Sequence, residues 1–193
     1  MIKNKTALFN QVLTRIGESR ITDADSTNDS AVTIRDEYPQ ALDQILAEYP
    51  WICATRRAAL AQKAGANLTR YGYMFQLPAD CITVQALIDG ESLGEVPDEY
   101  MREGDTLYCN NGNPIIKYTK RIEFYDMDTA MVEAFVLLLA HKVAWRITQS
   151  VDIETDMYQR YMVALNTAES LDGEERARQQ NRVDFGTGDW GRD

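Results

Sequence analysis

The chain has 193 residues, 45% hydrophobic and 26% charged, an ordinary balance for a globular protein and enough chain to bury roughly 70% of its unfolded surface. Its 20 basic and 30 acidic side chains leave a net charge of -10 with no basic block, which argues against a stable grip on nucleic acid. Three cysteines without a CxxC pair, beside a single histidine, exclude the common zinc patterns, and nothing in the sequence calls for a cofactor.

The first residues, MIKNKTALFNQVLTRIG, lack a continuous apolar stretch of signal-peptide length, so they predict synthesis that ends in the cytosol. Ala7, Leu8, Val12, Leu13 and Ile16 recur at helical spacing, and Gly17 follows as a stop, which predicts a first helix over 4–17. The turn-rich stretch ESRITDADSTNDS offers Asp29 or Ser30 as the cap of a second helix. Its stripe is Val32, Tyr38, Leu42, Ile45, Leu46 and Tyr49, with Pro39 predicting a kink or a restart about mid-way. The segment from Pro50 and Trp51 to Arg56 and Arg57 reads as a turn leading into a helix, with Trp51 in the core and both arginines on a solvated face.

From Tyr71 the period changes to two. Tyr71, Tyr73, Phe75 and Leu77 alternate, then Ile82, Val84, Ala86 and Ile88, and Asp89-Gly90 is a hairpin signal. Turns at Glu103-Gly104-Asp105 and at 110–113 bracket two further strands, so 71–125 predicts a small antiparallel sheet. Asp126 or Asp128 is placed to cap a long helix on Val132, Phe135, Val136, Leu139, Val143 and Ile147, widened by Met131, Leu138 and Trp145. A helix apolar that far around belongs in the middle of a bundle, and its longest apolar run is too short and too charged to span a bilayer. A fourth helix is predicted over about 152–170, on Ile153, Met157, Tyr158, Tyr161, Leu165 and Ala168, with the charged run DGEERARQQN able to extend it although nothing there needs burial. His141 has no second ligand or base beside it in sequence and reads as a packed or paired core histidine.

The chain closes on VDFGTGDWGRD. Gly186, Gly188 and Gly191 make this stretch entropically costly to order, and no apolar neighbours cover Phe185 and Trp190. The two rings therefore call for cover from another molecule. The architecture expected is α+β: a mainly helical bundle of about four helices (1–70 and 126–171), an antiparallel β insertion (71–125) and an extended C-terminal arm (172–193).

Five stretches, in this order, carry a resemblance: EYPWICATRRAALAQ, YMFQLPADCITVQAL, REGDTLYCNNGNPIIKYTKRI, AFVLLLAHKVAWRITQS and the late DWGRD. Together they resemble the head-to-tail adaptor proteins of short-tailed bacteriophages, the tail tubular protein A family, over nearly the whole chain from Leu8 to Arg192. The resemblance implies a non-enzymatic virion protein, made in the host cytoplasm. It docks as a twelve-membered homo-oligomeric ring under the portal protein and carries the tail nozzle protein, with no membrane involved. It also implies that Phe185, Trp190 and Arg192 dock into the portal, and DNA would pass through an acidic lumen without specific binding. Arg56 and Arg57 are expected at a subunit boundary, where bidentate pairing with a neighbour's acids would offset the repulsion of an acidic ring edge. The alternative is a peptidoglycan-degrading glycan hydrolase associated with the tail. It needs two carboxylates across a cleft. The available pairs, Asp126 with Asp128 and Glu174 with Glu175, fall at a helix cap and on a charged tail.

Overall fold

The computed structural model describes residues 4–91 and 99–186, with side chains described as far as Gln179. The fold is α+β, four helices with two small antiparallel sheets. It divides into two compact units, Met1–Ile45 with Glu123–Asp193, and Leu46–Ile122.

The first unit is helical. α1 (Lys5–Arg15) starts where the Asn4 side chain accepts the Ala7 N–H, and it stops at Gly17, whose φ of 80° suits glycine. It buries Leu8, Phe9, Val12 and Leu13. α2 (Asp29–Glu48) is capped by Asn28, one residue earlier than expected; the Asn28 Oδ1 accepts the N–H groups of Ser30 and Ala31 at 2.9 and 3.4 Å. Pro39 stays inside this helix without ending it. α3 (Thr129–Thr148) buries residues all round its axis, including Met131, Phe135, Leu138, Leu139 and Val143, as a central helix must. Its N-cap is Asp128, without a side-chain capping bond, and its end is Gln149 in the left-handed region at φ 53°.

Between the β unit and α3 the chain passes through a short 3-10 turn, Phe124–Asp126, that is pinned to α2. The buried Tyr38 hydroxyl donates to the Glu123 carboxylate at 2.6 Å. Its ring packs edge-on to Phe135 at 5.5 Å, near Phe9 at 6.3 Å, and the Lys5 ammonium sits 5.0 Å from its centre. Burial first, and the Glu123 carboxylate second, push the Tyr38 phenol far above its ordinary value.

α4 (Val151–Gly186) has 36 residues and runs well past Leu171, where the extended arm was expected to begin. Met157, Tyr161, Leu165, Ala168 and Asp172 form its buried stripe. Beyond that, i,i+4 and i,i+3 pairs support the helix: Asp172 with Arg176 at 2.9 Å and Glu174 with Arg178 four apart, and Glu175 with Arg178 three apart. The sequence there is Glu, Arg, Ala and Gln, strong helix formers that need no burial, which is why a burial pattern alone misplaces the end.

The second unit is a two-sheet β structure. β1 (Thr55–Ala59), β7 (Pro114–Lys120) and β4 (Cys81–Asp89) form one sheet in the order β1-β7-β4. β2 (Ala61–Gln62), β3 (Tyr73–Gln76), β6 (Thr106–Cys109) and β5 (Met101–Glu103) form the other, in the order β2-β3-β6-β5. β1 and β2 are nearly continuous, separated by Leu60, whose N–H donates to the Pro114 carbonyl, so the chain turns a corner from one sheet to the next. Phe75, Leu77, Leu87, Leu107, Ile116 and Tyr118 are the centre of its core.

Three expectations need correcting in this unit. Strand pairing begins at Thr55 rather than at Tyr71, and Arg56 and Arg57 lie on β1, not on a helix. The alanines there favour a helix, but pairing with β7 decides, as tertiary context commonly overrides propensity. The Asp89-Gly90 turn does not make a hairpin between neighbouring strands: β4 pairs with β7, and β5 joins the other sheet. Gly90 instead donates its N–H to the Asn113 carbonyl at 3.1 Å, and a Cβ there would come within 2.5 Å of that oxygen. The strict alternation of β4 also fails: register shifts fall between Cys81 and Thr83 and between Val84 and Ala86, and past them Leu87 and Ile88, on opposite faces of the strand, are both buried.

The turn at Glu103-Gly104-Asp105 does form a hairpin, β5 to β6, with Gly104 at φ 56°. Asp105 accepts hydrogen bonds from Gln76 at 3.0 Å, Lys63 at 3.1 Å and Thr106 at 2.9 Å. Those bonds, Gln76 first, hold its carboxyl below the usual range at about 2. On the other sheet Gln85 Nε2 donates to the hydroxyls of Thr55 and Thr119 at 3.1 and 2.9 Å, tying β4 to both other strands.

Candidate functional site

The arginines expected at a subunit boundary are both exposed on β1. Arg56 bends back on its own chain, donating to the carbonyls of Cys53 and Thr55 at 3.1 and 2.8 Å. Arg57 lies directly across from Lys117 on β7. Their side chains leave the strand on opposite faces, as the pleat requires. Trp51, by contrast, is buried as expected.

Of the three residues expected to dock into the portal, Phe185 lies on the last turn of α4, and its side chain lies outside the described residues. Trp190 and Arg192 lie outside them altogether. α4 thus brings the chain to Gly186, but beyond Asp172 no described side chain of the helix is buried. Over those residues the helix axis rises by roughly 20 Å.

His141 on α3 is half-buried against α4. Its Nδ1 lies 3.2 Å from the Glu154 carbonyl oxygen, which can only accept, so Nδ1 carries the proton. The Tyr158 ring packs beside it at 5.1 Å. That is a packing and bridging role. Of the candidate carboxylates, Asp126 and Asp128 are exposed, while Glu174 and Glu175 both pair with Arg178. Among the described residues no cluster of His, Cys, Asp and Glu could hold a metal ion. Cys53 and Cys81 are half-buried and Cys109 is buried, and none of the three is in a disulfide.

Two surface features of the helical unit were not singled out in the sequence. One is a groove of about 400 Å³ where α1, α3 and α4 meet, with Leu137, Val163 and Ala164 along one part of its lining. Arg15 pairs there with Glu133, and Arg160 with Asp156 at 3.0 Å. Arg20 lines the adjoining depression and makes no ion pair among the described residues. These cations are scattered through the sequence at positions 15, 20 and 160, so no run of basic residues announces them.

The other is an exposed apolar stripe. Trp145, expected in the core, is 57% exposed, and Val151, Tyr158 and Met162 follow on α4 at 62, 47 and 38%. Trp145 sits one turn beyond His141 on α3, and His141 packs on Tyr158, so the surface is continuous. The burial of α3 fades at its last turn, where Trp145 stands next to exposed Arg146. That charged neighbour is the signal available in the sequence.

Among the described residues no helix is long and apolar enough to cross a membrane. No family model matches the chain, and no curated protein matches it either.

Proposed function

We propose that this chain is a head-to-tail adaptor of a short-tailed bacteriophage. Copies of it form a ring, of twelve as the resemblance implies, between the portal protein and the tail nozzle protein, and the C-terminal segment docks into the portal. Its work is assembly. The ring closes the packaged head, and its acidic surface repels phosphate, so DNA slides past without binding.

One observation carries the reading. α4 continues to Gly186, no described side chain beyond Asp172 is buried, and the sequence puts Phe185 on the last turn and Trp190 four residues past the helix end. As far as Arg178 the helix is held by its own charge pairs and needs no partner there, so in this reading it serves as a spacer toward its tip. The ordered motifs that span nearly the whole chain support the same reading.

The energetics suit an assembly that forms only on a template. Each aromatic ring offers ~150–250 Å² of surface, or roughly 4–6 kcal/mol at ~25 cal/mol/Å² before ordering costs. Ordering a glycine-rich segment removes much of that gain, so one copy holds weakly. Many copies on a closed ring raise the effective concentration and hold tightly. Electron microscopy of the chain mixed with the portal of the same phage tests this. The full chain is expected to add a ring, and a chain stopped after Leu171 to add none. A ring from the shortened chain would overturn the proposal.

A further inference from the structure

The groove and the exposed stripe belong to the same helix but not to the same side of it. At 3.6 residues per turn, the buried positions of α4 point in one direction. Val151, Tyr158, Met162 and Glu169 then lie about 80° to one side, and Asp156, Arg160, Val163 and Ala164 about 115° to the other. The two surfaces therefore flank the buried stripe.

They also differ in kind. The stripe is apolar and aromatic; Glu169 and Arg176 of α4 share its direction, and since Arg176 is paired with Asp172, the carboxylate on this side is that of Glu169. The groove has an apolar part, Leu137, Val163 and Ala164, beside a cationic part in which Arg20 has no ion-pair partner among the described residues. On a chain whose net charge is -10, this is a local excess of positive charge next to apolar surface, and its complement is apolar surface next to a carboxylate.

We infer that the stripe of one copy docks into the groove of the next, with Tyr158 and Met162 against Leu137, Val163 and Ala164, and with Glu169 facing Arg20. The inference rests on the ring reading above, to which it adds the two surfaces in contact. A contact between two different faces on opposite sides of a subunit is heterologous, the kind that repeats from copy to copy and closes into a ring. A two-fold contact would place like against like, stripe on stripe or groove on groove. Like against like would leave Arg20 facing another cationic groove.

Cross-linking with a short bismaleimide, on the full-length chain mixed with the portal and at high concentration without it, distinguishes these arrangements. Two variants, Met162→Cys and Val163→Cys, are treated separately and as a mixture, with the unsubstituted chain reporting any background from Cys53 and Cys81. Both substituted positions are exposed, so folding is preserved. The mixture is expected to give dimers at least about fivefold above either variant alone. Adding Arg20→Glu to the Val163→Cys chain lowers that yield about fivefold, and adding Glu169→Lys to the Met162→Cys chain restores it. Equal yields in the mixture and in the separate samples, or an Arg20→Glu chain that cross-links as before, overturns the assignment. A ring seen on the portal without these cross-links sinks this contact alone. Cross-links from a chain that builds no ring on a portal support the contact and count against the ring.

Discussion

Replacing Tyr38 with phenylalanine removes one oxygen atom and leaves the ring cluster in place. The side chain is 5% exposed, and its hydroxyl donates to Glu123 at 2.6 Å, at the point where the chain returns from the β unit to the bundle. A hydrogen bond to a charged acceptor contributes about 1.5–3 kcal/mol; Glu123 is half-buried and can rehydrate when the donor is lost, so the lower end applies, about 1.5–2 kcal/mol. Urea denaturation followed by helical circular dichroism measures this, and the corresponding drop in melting temperature is about 3–8 °C. A double-mutant cycle with Glu123→Gln should return a coupling of about 1–2 kcal/mol. The phenol also gives the loss a pH signature. Because its folded pKa is raised, the neutral hydroxyl contributes in full below the ordinary tyrosine value of about 10, and that contribution fades as pH rises above it. The parent chain should thus lose stability above about pH 10 more steeply than Tyr38→Phe. A Tyr38→Phe chain within about 0.5 kcal/mol of the parent, with the same alkaline limb, would refute the pinning role assigned to this residue.

Asp105→Asn is expected to remove an acid-sensitive component of stability. The folded carboxyl titrates at about 2, below its ordinary 3.8, so its contribution is present above the ordinary value and is lost as pH falls toward 2. A carbon-13 carboxyl titration should find that low midpoint, and a midpoint near 3.8 would contradict the hydrogen bonding described. Gly90→Ala should destabilise the β unit by roughly 1–3 kcal/mol, since a Cβ there meets the Asn113 carbonyl. A neutral Gly90→Ala in urea denaturation would mean that the turn relaxes freely.

The helical unit was legible because its signals are local. Leu8, Val12 and Leu13, then Phe135, Leu139 and Val143, repeat at helical spacing and are buried where that spacing puts them. The β unit was less legible because its pairing is not local. Thr55 to Ala59 look helical in isolation and become a strand only when β7 arrives from far along the chain. Two register shifts hide the faces of β4 from any rule of two. The end of α4 stays open in the sequence for a different reason: a charged run of Glu, Arg and Gln can extend a helix but leaves no apolar stripe to mark where it stops. The cationic groove depends on three helices meeting, and no linear motif records that.

The most direct test of the account concerns the two rings at the C-terminus. With the intact portal and the full-length double variant Phe185→Ala/Trp190→Ala, mass photometry counts how many copies of the chain each portal carries. The account predicts that occupancy falls at least about tenfold at concentrations where the parent chain saturates, because each ring is worth several kcal/mol of buried surface and many copies repeat the loss. Saturation by the double variant at the parent's concentration would show that the aromatic tip does not hold the assembly together.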